Sequence, residues 1–230
     1  MFLKKKNNNK LTMTFCLDTK ILKPEKNNQV KNAIILLHGY GGDGKDISIL
    51  ALNWKRFLPN TIFLCPNGSE ICPINTSGFQ WFDLTKEDPE YILEQSKKSE
   101  KKLQNFIDEV KNEYNLSNSQ ICLSGFSQGC MISINLGLIA KEDYNCVVGF
   151  SGKIINQEDL LKRKTSSTKM LLIHGDSDQV VSPTSLLEAK DFLIRNNVKI
   201  ETKMIKNCEH HIPAEALSVA LKYIKNNFNL

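Results

Sequence analysis

The chain has 230 residues and a formal net charge of +5, which suits one large domain at roughly 150 residues per domain and a core that needs no disulfide or metal to hold it. Hydrophobic residues at 41% and charged residues at 24% exclude a disordered or collagen-like chain, and no run approaches the roughly 18 apolar residues of a membrane span. Lys4, Lys5, Lys6 and Lys10 crowd into the first ten residues while Arg56, Arg163 and Arg195 stand far apart, a distribution that disfavours nucleic acid, where clustered arginine is the signature.

Residues 1–12 read as a flexible basic tail, rich in Lys and Asn, and residues 13–230 as a single domain. The tail lacks the apolar core and small-residue cleavage site of an export signal, so the expected compartment is the cytoplasm. Met13 offers an alternative start, because strand-like sequence begins there. The seven cysteines (16, 65, 72, 122, 130, 146 and 208) include no CxxC pair, and several sit in apolar runs. They read as free thiols in a reducing compartment. The four histidines have no ligand spacing to them, so neither zinc nor another cofactor is expected.

The first long apolar run, Ala33–Leu37, ends in Leu37-His38-Gly39-Tyr40-Gly41-Gly42. A Gly-rich turn of this kind lets backbone amides approach a substrate closely, and it matches neither G-x-G-x-x-G nor a Walker loop. A second run, Thr61–Cys65, leads into an irregular stretch from Pro66 to Pro89. Loops of that length in compact domains are usually functional or held by packing. Phe79, Trp81 and Phe82 within it are expected to form one wall of a substrate pocket. In Tyr91–Tyr114 the residues Leu103, Phe106, Ile107, Val110 and Tyr114 recur at helical spacing.

The run Gln120–Ser124 is followed by Gly125-Phe126-Ser127-Gln128-Gly129 and a helical pattern over Gln128–Ala140. This is G-x-S-x-G between strand and helix, the turn that lifts a serine hydroxyl above a sheet. Apolar runs at Asn145–Ser151 and Lys169–His174, and a more polar one at Lys199–Ile205, alternate with helical patterns at Pro183–Arg195 and Pro213–Asn227. Continuous rather than alternating apolar runs fit strands buried on both faces, and their alternation with helices predicts an α/β fold with a mainly parallel sheet. Ligands bind such sheets at the carboxyl ends of the strands. The sixteen residues 153–168 can hold one short helix and no cap domain, so the site is expected to be open.

A serine needs a base, and in this chain order the acid and the histidine follow it. That order leaves His210 and His211 as alternatives for the base. His174-Gly175-Asp176-Ser177-Asp178 supplies two carboxylates, Asp176 at the strand terminus and Asp178 further into the loop.

The motif around His38 with Asp46, Gln80-Trp81-Phe82-Asp83, the Ser127 pentapeptide, His174 to Val181 and His210-His211-Ile212 together resemble the phospholipase/carboxylesterase family of α/β-hydrolases, the group that includes the acyl-protein thioesterases. The resemblance runs from about residue 31 to 225. It implies Ser127 as nucleophile, Asp178 as the acid, His210 as the base, and the amides of Tyr40 and Gln128 as the oxyanion hole; Glu209 and His211 depart from the family pattern. The implied activity is hydrolysis of a carboxylic ester or thioester, small or acyl-chain, through an acyl-enzyme and without cofactor, metal, stable membrane insertion or nucleic-acid partner. A homodimer is compatible with it. A peptidase or acyltransferase with the same triad, or an inactive binding module on this scaffold, are the alternatives.

Overall fold

The computed structural model describes residues 15–24 and 28–230; the expectations for residues 1–12 and for Met13 lie outside them. Seven strands form one sheet: β1 (Thr19–Leu22), β2 (Asn32–Leu37), β3 (Thr61–Pro66), β6 (Ile121–Phe126), β7 (Cys146–Phe150), β8 (Met170–Gly175) and β9 (Ile200–Ile205). Their spatial order is β1-β3-β2-β6-β7-β8-β9. All neighbours pair in parallel except β1, which closes one edge antiparallel to β3. A separate hairpin of β4 (Glu70–Cys72) and β5 (Asn75–Gln80) occupies the stretch from Pro66 to Pro89.

The central strands read as unbroken apolar runs because both faces are covered. Along β2, Ile34 and Leu36 pack on one side with Leu50 and Trp54 of α1 (Gly44–Trp54) and Ala220 and Ile224 of α6 (Ala214–Asn227). Ala33, Ile35 and Leu37 pack on the other side with Leu103 and Phe106 of α2 (Pro89–Tyr114), Ile132 and Leu136 of α3 (Gln128–Ile139), and Leu193 of α5 (Thr184–Arg195). Residues 128–138 of α3 are all buried, so this helix has no polar face for periodicity to reveal. The α2 helix starts on Asp88, whose carboxylate accepts from the Glu90 amide, with Pro89 in the first turn, and ends on left-handed Asn115.

Three elements add to the sequence expectation: edge strand β1, the β4–β5 hairpin, and α1, which is capped by Asp43 accepting from the Asp46 amide. The segment 153–168 holds only the short α4 (Gln157–Arg163), so no cap covers the sheet. Among the described residues no helix is long and apolar enough to cross a membrane.

Candidate active site

The carboxyl ends of β2, β6, β8 and β9 converge on Ser127. This residue adopts φ 53° and ψ −116° between β6 and α3, a strained geometry for a residue with a Cβ that pushes the side chain out of the turn. Its amide donates to the Phe150 carbonyl at 2.9 Å, which fixes the turn against β7. The glycine at 129 is dictated by space: a Cβ there would fall 2.2 Å from the Leu37 carbonyl oxygen. Close approach of α3 to the end of β2 is what brings the serine beside the Gly-rich turn.

His210 lies between Ser127 and Asp178. Its Nε2 is 3.0 Å from Ser127 Oγ and its Nδ1 is 2.7 Å from Asp178 Oδ2. A carboxylate can only accept, so the Nδ1 carries the proton and donates to Asp178, leaving Nε2 to accept from the serine hydroxyl. The Phe126 ring packs 4.8 Å from the imidazole. His211 turns away, its Nε2 4.0 Å from the Cys208 sulfur. The loop bearing both histidines reaches the site because β8 ends in Gly175, where a Cβ would meet the Cys208 carbonyl oxygen at 2.1 Å.

The two aspartates of the β8 loop have different surroundings. Asp176 is exposed and accepts from the neighbouring Ser177 hydroxyl. Asp178 is buried, and its Oδ1 accepts from the amides of Val180 and Val181, both at 2.9 Å. Burial pushes its carboxyl up, but the hydrogen bond from His210 and those two amides outweigh it and hold the group below the ordinary carboxylate value. His174, the first residue of that motif, puts its Nε2 3.2 Å from Asp178 Oδ2. Chain order excludes His174 as the base, and the spacing along the chain does not show this contact.

Tyr40 and Gln128 line the same cavity as Ser127, and neither backbone amide donates to any acceptor among the described residues. The Tyr40 turn is clamped from both sides. Gly41 N–H donates to the Phe79 carbonyl at 2.9 Å, and Phe79 N–H donates to the Gly42 carbonyl at 2.8 Å. Beneath it, His38 accepts from the Gly68 amide on Nε2 and donates through Nδ1 to the Gly39 carbonyl.

The three aromatics of the long loop separate. Phe82 lines a cavity of about 350 Å³ at Ser127, together with Leu84, Ile92, Met131, Ile155 and Val181. Trp81 does not reach this cavity: its indole is buried 4.9 Å from the His38 ring and donates to the His38 carbonyl. Phe79 works through its backbone, as above, with its ring 6.5 Å from His38. The chain leaves β5 at Gln80 and bends at Trp81 and Phe82, which sends the two side chains to different places. All seven cysteines are free, and Cys72 and Cys130 are buried, with Cys130 enclosed against Gly149 and Gly152. Among the described residues no His, Cys, Asp and Glu group forms a metal cluster.

A family model described as phospholipase/carboxylesterase matches residues 19–228. The chain belongs to the phospholipase/carboxylesterase family. It is a carboxylic ester hydrolase on the α/β-hydrolase fold. Among its relatives, acyl-protein thioesterase 1 of Yarrowia lipolytica is 26% identical, covering 84% of this chain and 91% of that protein. Acyl-protein thioesterase 1 of Schizosaccharomyces pombe is 25% identical, covering 92% and 96%. The crystal structure of esterase PE8 superposes with a TM-score of 0.87 at 30% identity, covering 91% of this chain and 98% of that one.

Proposed function

We propose that the protein hydrolyses acyl esters and thioesters in two steps on Ser127, with His210 as proton shuttle, Asp178 as its anchor, and the amides of Tyr40 and Gln128 as the oxyanion hole. As the serine oxygen attacks the carbonyl carbon, its proton passes to His210 Nε2, and buried Asp178 stabilises the imidazolium that forms. The carbonyl oxygen becomes an oxyanion between the two amides, where each donor contributes about 3 kcal/mol to the transition state. Collapse breaks the C–O or C–S bond, and His210 returns the proton to the departing alcohol or thiol. Water, deprotonated by the same nitrogen, then releases the acid and restores Ser127.

The observation that carries this reading is the unbroken relay from Ser127 through His210 to Asp178, at 3.0 and 2.7 Å, beside two amides without partners. The apolar cavity lined by Phe82, Leu84 and Met131 suits an acyl chain, and the printed names of the thioesterase relatives favour including thioesters. Seven free thiols suit a reducing compartment, and the cytoplasm is our assignment. Turnover of a p-nitrophenyl ester and of an acyl thioester by Ser127→Ala tests the proposal. The expected loss is about 10⁴-fold or more, and undiminished turnover overturns it.

A further inference from the structure

A second cavity, of about 440 Å³, adjoins the site on its other side. Tyr40 lines both cavities, but the histidine and the serine divide between them: the wall of the second carries His210 and not Ser127, and that of the first carries Ser127 and Gln128 and not His210. In the mechanism proposed above, on which this inference rests, the acyl half stays on the serine and the departing half must lie against the nitrogen that protonates it. We propose that the second cavity is the leaving-group subsite, and that it takes an apolar alcohol or thiol without negative charge.

The lining carries the chemical class. Ile47, Ile49 and Leu50 of α1 face Ile212 and Leu217 of the His210 loop and α6, with Phe126 alongside. The histidines apart, the charged lining residue is Asp46, a carboxylate that makes no ion pair among the described residues. An anionic leaving group, such as a phosphorylated one, would meet that carboxylate with no cation in the lining to offset it. Ile49, 55% exposed, extends the apolar wall that Ile47 and Leu50 begin on the same helix, a contiguous surface that an apolar substrate half would cover.

The test holds the acyl half constant. Methyl acetate, hexyl acetate and 6-acetoxyhexanoate release alcohols of similar basicity that differ in apolar length and terminal charge. The wild type is expected to favour hexyl over methyl acetate by about tenfold or more in kcat/KM, and to lose that gain on the carboxylate-tipped ester. In Ile49→Asp the hexyl-to-methyl ratio should fall toward one, and in Asp46→Asn the carboxylate-tipped ester should recover part of its gain. A wild-type ratio near one, a ratio unmoved by Ile49→Asp, or no recovery in Asp46→Asn overturns the assignment. Labelling of wild-type Ser127 by a fluorophosphonate keeps the two failures apart: a labelled serine with a ratio near one rejects the subsite alone, and an unlabelled serine rejects the underlying mechanism.

Discussion

His174 and Asp178, four residues apart at the end of β8, face each other in the protein interior with Nε2 3.2 Å from Oδ2. The same Nε2 lies 2.9 Å from the Val181 carbonyl oxygen, which can only accept, so this nitrogen carries the proton. Oδ2 therefore accepts from His210 and has the His174 ring against it, while Oδ1 accepts from two amides. Held through both oxygens and flanked by the His174 ring, Asp178 is fixed in the orientation that meets His210.

His174 is accordingly a positioning residue. Removing its donor in His174→Phe leaves the buried Val181 carbonyl unpartnered beside Asp178, at about 1–3 kcal/mol. If that penalty falls on the triad, kcat drops about tenfold or more with KM little changed. His174→Gln, whose amide can stand in for the Nε2 donor, should recover much of the loss. Equal kcat in both variants and the wild type contradicts this role.

Asp178 also links stability to pH. Its folded value lies below the ordinary 3.8, so folding favours the ionised form. That contribution is complete above the ordinary value and is lost as pH falls through the lower, folded one. Acid denaturation curves of the wild type and Asp178→Asn should therefore differ by a constant amount at neutral pH. The gap should narrow below about pH 4. A gap independent of pH would rule this out.

Arg163 joins α4 to α2. Its Nη1 is 2.7 Å from Glu100 Oε2, and its Nε is 2.6 Å from Asp159 Oδ2, while Asn135 of α3 donates to the other Glu100 oxygen at 2.7 Å. Glu100 is buried, so Arg163→Ala leaves a desolvated carboxylate without its cation. The expected loss of stability is about 2–3 kcal/mol, below the range for a fully buried pair because Arg163 keeps some solvent contact. Urea unfolding measures it, and an unchanged midpoint would contradict the account.

Gln128 has a backbone role and a side-chain role that can be separated. Its side chain accepts from the Trp81 amide at 3.0 Å and donates to the Phe82 carbonyl at 2.7 Å. Gln128→Ala keeps the amide proposed for the oxyanion hole but leaves two buried backbone groups unpaired, at about 1–3 kcal/mol each. Because Phe82 lines the cavity proposed for the acyl chain, KM for long-chain esters should rise more than KM for acetates. A uniform effect on both would sink this reading.

How much of this was legible beforehand depended on whether the signal was local. The strands buried on both faces, from Ala33–Leu37 to Lys169–His174, are visible because burial from two sides demands unbroken apolar runs. The strand–turn–helix around Ser127 is visible because the turn requires glycine where α3 presses on β2. Strand β1 is not, since an edge strand half open to solvent needs no apolar pattern; its residues are only partly buried or exposed. The choices between Asp176 and Asp178 and between His210 and His211 depend on where a loop points. Spacing along the chain does not encode that, and the family resemblance narrowed it. Trp81 was expected in a pocket wall because a large aromatic in a loop suggests ligand contact; it is instead buried on His38, a contact across 43 residues.

The most direct test of the central claim is to trap the covalent intermediate. Incubation with a fluorophosphonate, digestion and peptide mass mapping should find one adduct on the peptide bearing Ser127. The adduct should be absent in Ser127→Ala, and its formation should slow by orders of magnitude in His210→Ala. An adduct on another residue, or labelling of Ser127 at the same rate without His210, would contradict the relay on which the proposed mechanism stands.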